Sequence, residues 1–273
     1  CSAGTQFFFA PTKLNFENLV REGYPEDFVH VVGNSVVDAI HIKRKEKVHR
    51  SIFDFYPQLE NDLWIRMDIH RRENLTRKRF MSIIGGLVEL IKATDKKVVL
   101  VMLNATLAAL REYDLESKLK ILAEQYPDKF LITPLWKEYA HVIEFLDSGH
   151  CWAEMTDSGS MQEELLYFPK VTSLTVRLNT DRPETIFSAR SNILVPPLNP
   201  GWIVSMVREA YSSDEGLGLN LRRKKQIYGT PGTVSKSIIK IIKKEFESGD
   251  ANFFPWLHQR LDLWKENQGF EYM

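Results

Sequence analysis

The chain reads as an α/β protein built on a parallel sheet with helices on both faces, and three observations say so. Short apolar runs rich in β-branched and aromatic residues recur along its 273 residues, with amphipathic stretches between them. Some of these runs, Val98–Leu103 above all, are apolar throughout, as in a strand buried on both sides. Apolar residues make up 44% and charged residues 26%, the balance of a chain able to bury a core.

The elements follow in order. Phe7–Ala10 opens a strand with nothing before it, as in a sequence that starts inside a longer protein. Further strands are expected at Val29–Val32, Trp64–Ile69, Val98–Leu103, Phe130–Thr133, Cys151–Met155, Ser173–Val176 and Asn192–Val195. Helices are expected to start near Thr12, Ser35, Thr76, Leu115, Glu138, Met161, Pro183, Pro200 and Thr233. Residues 41–60, charged and then aromatic, read as the tail of a helix plus a connection. One domain is expected over residues 1–245, followed by an amphipathic extension over 246–273 that carries Phe253, Phe254, Trp256, Leu257 and Trp264. Its aromatic face fits packing on its own domain and on another part or subunit equally well.

Charge and cysteine content exclude whole classes of function. Lys plus Arg is 36 and Asp plus Glu is 36, so no basic field draws the chain to nucleic acid or an anionic membrane. Any anion must be held by a local site. Two cysteines, Cys1 and Cys151, make no disulfide framework, and a cytoplasmic protein with free thiols is expected. No apolar run approaches the length of a membrane span, and the start lacks the pattern of a signal peptide.

In open α/β sheets ligands bind beyond the carboxyl ends of the strands, so the segments after the strands carry the chemistry. Thr156–Glu164 follows a strand and opens a helix. Its free N–H groups, the Ser158 and Ser160 hydroxyls and the small Gly159 suit a phosphate. A carboxylate just inside such a helix suits ribose hydroxyls. Ser160 with Glu163 is also a capping box, which needs no ligand. His70-Arg71-Arg72-Glu73 ends another strand. An imidazole there can donate to a departing phosphate oxygen, and guanidiniums suit a diphosphate. A solvated loop, with both arginines paired to Glu73, accounts for the same residues. In Thr180–Glu184, Pro183 suits a first helical turn. Arg182 opposes the helix dipole there and needs an anionic partner: Asp181, Glu184 or a ligand.

Together these segments resemble the non-hydrolysing UDP-N-acetylglucosamine 2-epimerase family. The resemblance rests on His70-Arg71-Arg72-Glu73-Asn74, Thr156-Asp157-Ser158-Gly159-Ser160-Met161-Gln162-Glu163-Glu164 and Thr180-Asp181-Arg182-Pro183-Glu184. Phe9–Thr12, Val32–Ala39 and Tyr228-Gly229 add to it, and it covers residues 6 to about 245. It implies the C-terminal half of the two-domain GT-B fold, with an N-terminal domain upstream, and a homodimer. It places the diphosphate of UDP on Ser158, Gly159 and Ser160, ribose on Glu164, a ligand contact on Arg182 and a catalytic role on His70. Uracil is implied near Pro134-Leu135 through Tyr139, with no specific contact carried over. The reaction implied is inversion at C2 of the sugar in UDP-GlcNAc. UDP is eliminated as the C2 proton is removed, then adds back with protonation of the opposite face. The carboxylates for that proton transfer are implied on the N-terminal domain, so the isolated chain is expected to bind UDP weakly and to be inactive. No metal or cofactor is implied.

The sequence departs from the family pattern in four places. Ser160 replaces a second glycine. Met102-Leu103-Asn104-Ala105 stands where histidine-leucine-asparagine-proline is usual, which argues against a regulatory UDP-sugar site. Phe168-Pro169-Lys170 lacks a usual glycine, and the segment after 245 has no counterpart. A hydrolysing epimerase, a GT-B glycosyltransferase and a non-catalytic UDP-binding module are the alternatives.

Overall fold

A computed structural model of the chain describes residues 5, 7–46, 48–211 and 224–247. They fall into two compact units, with the boundary after His41 and again after Gln226. The segment expected as one domain over 1–245 is therefore divided.

The first unit holds the described residues up to His41 and those from Ile227 onward. Strands β1 (Phe8–Ala10) and β2 (Val29–Val31) pair in parallel as a two-stranded sheet of their own. Helix α1 (Lys13–Arg21) joins them and is capped by the Thr12 side chain. Phe8, Ala10, Tyr24 and Val29 form the unit's core. The two strands pair with each other and with no other described strand: an apolar run fits either sheet, and pairing is decided by contacts distant in sequence. Helix α2 (Val36–Lys43) begins in this unit, and α11 (Val234–Glu247) ends its described part. Asp38, buried in α2, accepts the backbone N–H groups of Gly232 and Ser235, both at 2.6 Å. Gly33 has φ +93°, and a Cβ there would lie 2.3 Å from the Tyr228 carbonyl oxygen, so only glycine fits. Two segments nearly 200 residues apart thus meet, with the Asn34 N–H donating to that same carbonyl at 2.9 Å.

The second unit spans Ile42–Gln226 and carries a six-stranded sheet. Its strands are β3 (Trp64–Asp68), β4 (Lys97–Met102), β5 (Phe130–Pro134), β6 (Cys151–Thr156), β7 (Thr172–Thr175) and β8 (Asn192–Leu194). All are parallel, in the order β5-β4-β3-β6-β7-β8. This is the doubly wound Rossmann order, whose switch point lies between β3 and β6. The expected α/β class holds, and each of the six strands falls within one or two residues of its expected place. Two helices were not anticipated: α3 (Ile52–Phe55), with a capping box at Ser51, and α5 (Asn104–Glu112). The remaining helices are α4 (Arg77–Ala93), α6 (Glu116–Gln125), α7 (Tyr139–Ser148), α8 (Gly159–Glu164), α9 (Pro183–Phe187) and α10 (Pro200–Tyr211).

The two faces of the sheet differ. Ile65, Met67, Val98, Leu100, Ala153, Met155, Leu174 and Ile193 share one apolar core with α4 and α10. The α4–α10 contact is close, because Gly85 and Gly86 let Pro200 and Ile203 approach the helix backbone. Alternate positions point the other way and bring Arg66, Asp68, Glu154, Thr156, Ser173, Thr175 and Asn192 into the interior. The extension expected from residue 246 lies outside the described residues beyond Glu247.

Candidate functional site

The switch point brings together the carboxyl ends of β3 and β6, where Asp68 pairs with Thr156. Two of the segments singled out for chemistry, His70–Glu73 and Thr156–Glu164, leave those ends side by side. Asp157 is fully buried and joins them. Its carboxylate accepts the backbone N–H of His70 at 3.0 and 3.2 Å, that of Arg71 at 2.9 Å and the Asn74 Nδ2 at 3.0 Å. Asn74 Nδ2 also donates to the Val176 carbonyl at 2.7 Å. His70 Nδ1 lies 3.2 Å from Asp157 Oδ1 without the alignment of a hydrogen bond. Burial raises the Asp157 carboxyl above its ordinary pKa, against the pull of these donors.

A cavity of about 540 Å³ lies over this junction, lined by His70, Arg71, Arg72, Glu73, Ser158, Gly159 and Ser160. Among the described residues neither Arg71 nor Arg72 has a carboxylate partner, so the alternative in which both pair with Glu73 does not describe the loop. Gly159 leaves room for one of them: a Cβ there would sit 3.2 Å from an Arg71 guanidinium nitrogen and 3.8 Å from both Asp181 carboxylate oxygens. Ser158 caps α8, accepting the Met161 N–H at 3.4 Å, and its hydroxyl lies 3.2 Å from that of Ser160. The capping box expected at Ser160 and Glu163 does not form, because the cap falls two residues earlier.

Glu164 and Arg182 stand behind this cavity. Glu164 is buried and accepts hydrogen bonds from the Tyr139 and Ser160 hydroxyls. Burial raises its carboxyl, and burial together with Glu164 pushes the Tyr139 phenol up as well. Arg182 finds its anionic partners inside the chain: Nε donates to Glu163 at 2.7 Å and Nη1 to the Asp181 carboxylate at 3.1 Å. Of the residues expected to bind or react, the structure thus puts His70, Ser158, Gly159 and Ser160 on one cavity wall. It ties Glu164 to that wall through Ser160. Arg182 reaches it only through Asp181, beside Gly159.

Three residues that hold the site together carried no role in the sequence reading: Asp157, Asn74 and Gln162. Gln162 Nε2 donates to the Ser158 carbonyl at 3.1 Å, while its Oε1 accepts from Thr180 at 2.6 Å and from Asn192 at 2.9 Å. It thereby links the loops after β6 and β7 to β8. The available signal was the placement of Asp157 and Asn74 inside the two motifs themselves.

Beneath α8, Arg66 Nη1 donates to Asp68 at 2.9 Å and to Glu154, with the guanidinium 5.0 Å from the Trp136 ring centre. One buried cation faces two buried carboxylates. Burial, with Asp68 beside it, holds the Glu154 carboxyl well above its ordinary pKa, against the pull of Arg66. A second cavity of about 340 Å³ is lined by Phe55, Tyr56, Pro134, Leu135, Trp136 and His141, with Tyr56 and Trp136 stacked at 24°. Among the described residues no cluster of His, Cys, Asp or Glu is disposed to hold a metal. No helix there is long and apolar enough to cross a membrane.

Residues 2–243 match the family model for UDP-N-acetylglucosamine 2-epimerase. The chain belongs to the UDP-N-acetylglucosamine 2-epimerase family. A curated relative from Methanocaldococcus jannaschii, named UDP-N-acetylglucosamine 2-epimerase, is 34% identical over 197 residues, 70% of this chain and 50% of that protein. A crystal structure of the UDP-GlcNAc 2-epimerase of that organism, in complex with UDP-GlcNAc and UDP, matches with TM-score 0.69 and 29% identity. It covers 88% of this chain and 61% of the other. The enzyme from Neisseria meningitidis bound to UDP-GlcNAc matches with TM-score 0.67 and 26% identity, covering 88% of this chain and 62% of that one. The chain spans about half the length of the curated relatives it matches. Its sheet is the GT-B kind of Rossmann fold that these epimerases share.

Proposed function

We propose that this chain supplies the UDP-binding half of an enzyme that interconverts UDP-GlcNAc and UDP-ManNAc. The observation that carries the reading is a cavity at the switch point walled by two guanidiniums, without carboxylate partners among the described residues, two serine hydroxyls and an imidazole. Such a wall suits a diphosphate in a chain whose formal net charge is +0 and which has no general attraction for anions. Arg71 and Arg72 take the diphosphate oxygens with Ser158 and Ser160, and Gly159 lets the ligand approach the backbone. Glu164 accepts the ribose hydroxyls, exchanging them for Tyr139. The aromatic cavity beside Pro134 and Trp136 suits the base. Arg182 acts from behind, holding Asp181 and Glu163 in place.

In the reaction the C2 proton leaves as the C1–oxygen bond breaks, giving an unsaturated sugar and UDP. UDP then adds back to C1 while C2 is protonated on the opposite face. His70 donates to the departing phosphate oxygen, and the guanidiniums offset the charge developing there. The C2 proton transfer belongs to carboxylates on an N-terminal domain, so this chain alone binds UDP weakly and turns nothing over. Isothermal calorimetry with UDP tests the site: saturable binding that R71A and R72A each weaken supports it. A folded protein that takes up no UDP at millimolar concentration removes it.

A further inference from the structure

We propose that Asp157 is the positioning residue for His70, an inference that rests on the catalytic reading of that histidine. Asp157 has 0% exposure, and burying a carboxylate is costly unless its lone pairs are filled. It does not cap the helix that follows it, because Ser158 caps α8. Among the described residues its hydrogen bonds run instead to the loop leaving the neighbouring strand: to the N–H groups of His70 and Arg71 and to Asn74 Nδ2. Two adjacent peptide groups held by one carboxylate fix the direction in which residues 70 and 71 leave the backbone. Asn74 bolts the far end of the same loop to Val176. The carboxylate also lies 3.2 Å from Nδ1 of the imidazole, and that nitrogen is buried. Nε2 is then the ring nitrogen left to exchange a proton with a ligand in the cavity. The strand pairing places this carboxylate behind the histidine, and residues 70 and 157 are 87 apart in sequence.

The test is a double-mutant cycle in the full-length protein, with epimerase turnover and UDP affinity measured for the wild type, D157N, H70A and the double variant. D157N exchanges one acceptor oxygen for an amide that cannot receive the loop N–H groups. The expected result is a kcat lower by roughly 10–100-fold, with UDP affinity reduced by no more than about threefold. In the H70A background the same substitution is expected to cost less than about twofold, because the group it positions is gone. An equal loss in both backgrounds, or a fully active D157N beside an inactive H70A, overturns the inference while leaving His70 catalytic. Wild-type turnover by H70A overturns the catalytic reading itself, and this inference with it. If D157N does not fold, N74A takes its place in the cycle with a smaller expected loss and the same criterion.

Discussion

The two faces of the six-stranded sheet are built from alternate residues of the same strands, yet they do different work. One face, from Ile65 and Met67 across to Ile193, is wholly apolar and packs on α4 and α10. The other carries Arg66, Asp68, Glu154, Thr156, Ser173, Thr175 and Asn192, all buried, and lies under α8 and the loops that line the site. Apolar contacts are non-directional and tolerate small shifts. A buried polar group demands a partner in a particular place. The polar face therefore fixes loop geometry where the apolar face chiefly supplies stability. The chain of bonds from Asn192 through Gln162 to Ser158 and Thr180 shows how that geometry reaches the loops after β6 and β7.

Four substitutions sharpen or break this comparison. The largest effect is expected on the polar face. Arg66→Ala leaves Asp68 buried without its cation and should lower stability by about 3–5 kcal/mol in urea denaturation. A loss below about 1 kcal/mol means the network is dispensable. On the apolar face Leu100→Ala should cost about 2–5 kcal/mol, with UDP affinity unchanged in calorimetry wherever the protein is folded. A variant as stable as wild type with weakened UDP binding reverses the assignment of the two faces. At the cavity, Arg71→Ala should raise the UDP dissociation constant roughly 10–100-fold and flatten its dependence on salt, with little change in melting temperature.

The smallest effect is expected at Glu154. A carboxyl whose folded-state pKa is raised binds its proton more tightly in the folded state than in the unfolded one. Its contribution to stability is complete below the unfolded value and is lost as pH rises through the raised one. Glu154→Gln keeps the protonated shape, so it should change stability at low pH by less than about 1 kcal/mol. It should also flatten the decline toward alkaline pH in a denaturation series. A variant whose pH dependence matches wild type shows that Glu154 is ionised beside Arg66.

Much of the fold was legible along the chain. Runs such as Val98–Leu103 mark a doubly buried strand whatever surrounds them, and β3 through β8 fall where those runs lie. The fate of β1 and β2 was not legible, because Phe8–Ala10 suits any parallel partner, and Val29–Val31 supplied a private one. At the site, the motifs around His70 and Ser158 lie on two loops that one cavity joins. Arg182 was read as needing an anion, and the structure supplies Glu163 and Asp181. Asp157 escaped notice because its partners lie 83 to 87 residues away, and no local spacing records that distance.

The sequence by itself determined the α/β class, the strand positions, the absence of a general field for anions and the family, since periodicity, charge and motif order are local properties. Only the tertiary structure decided that two strands stand apart, that Asp157 lies behind His70 and that Arg66 is buried between two carboxylates. Those facts depend on which strand pairs with which. Strand pairing is set by burial and hydrogen bonding between segments far apart in the chain, not by the residues of either segment alone.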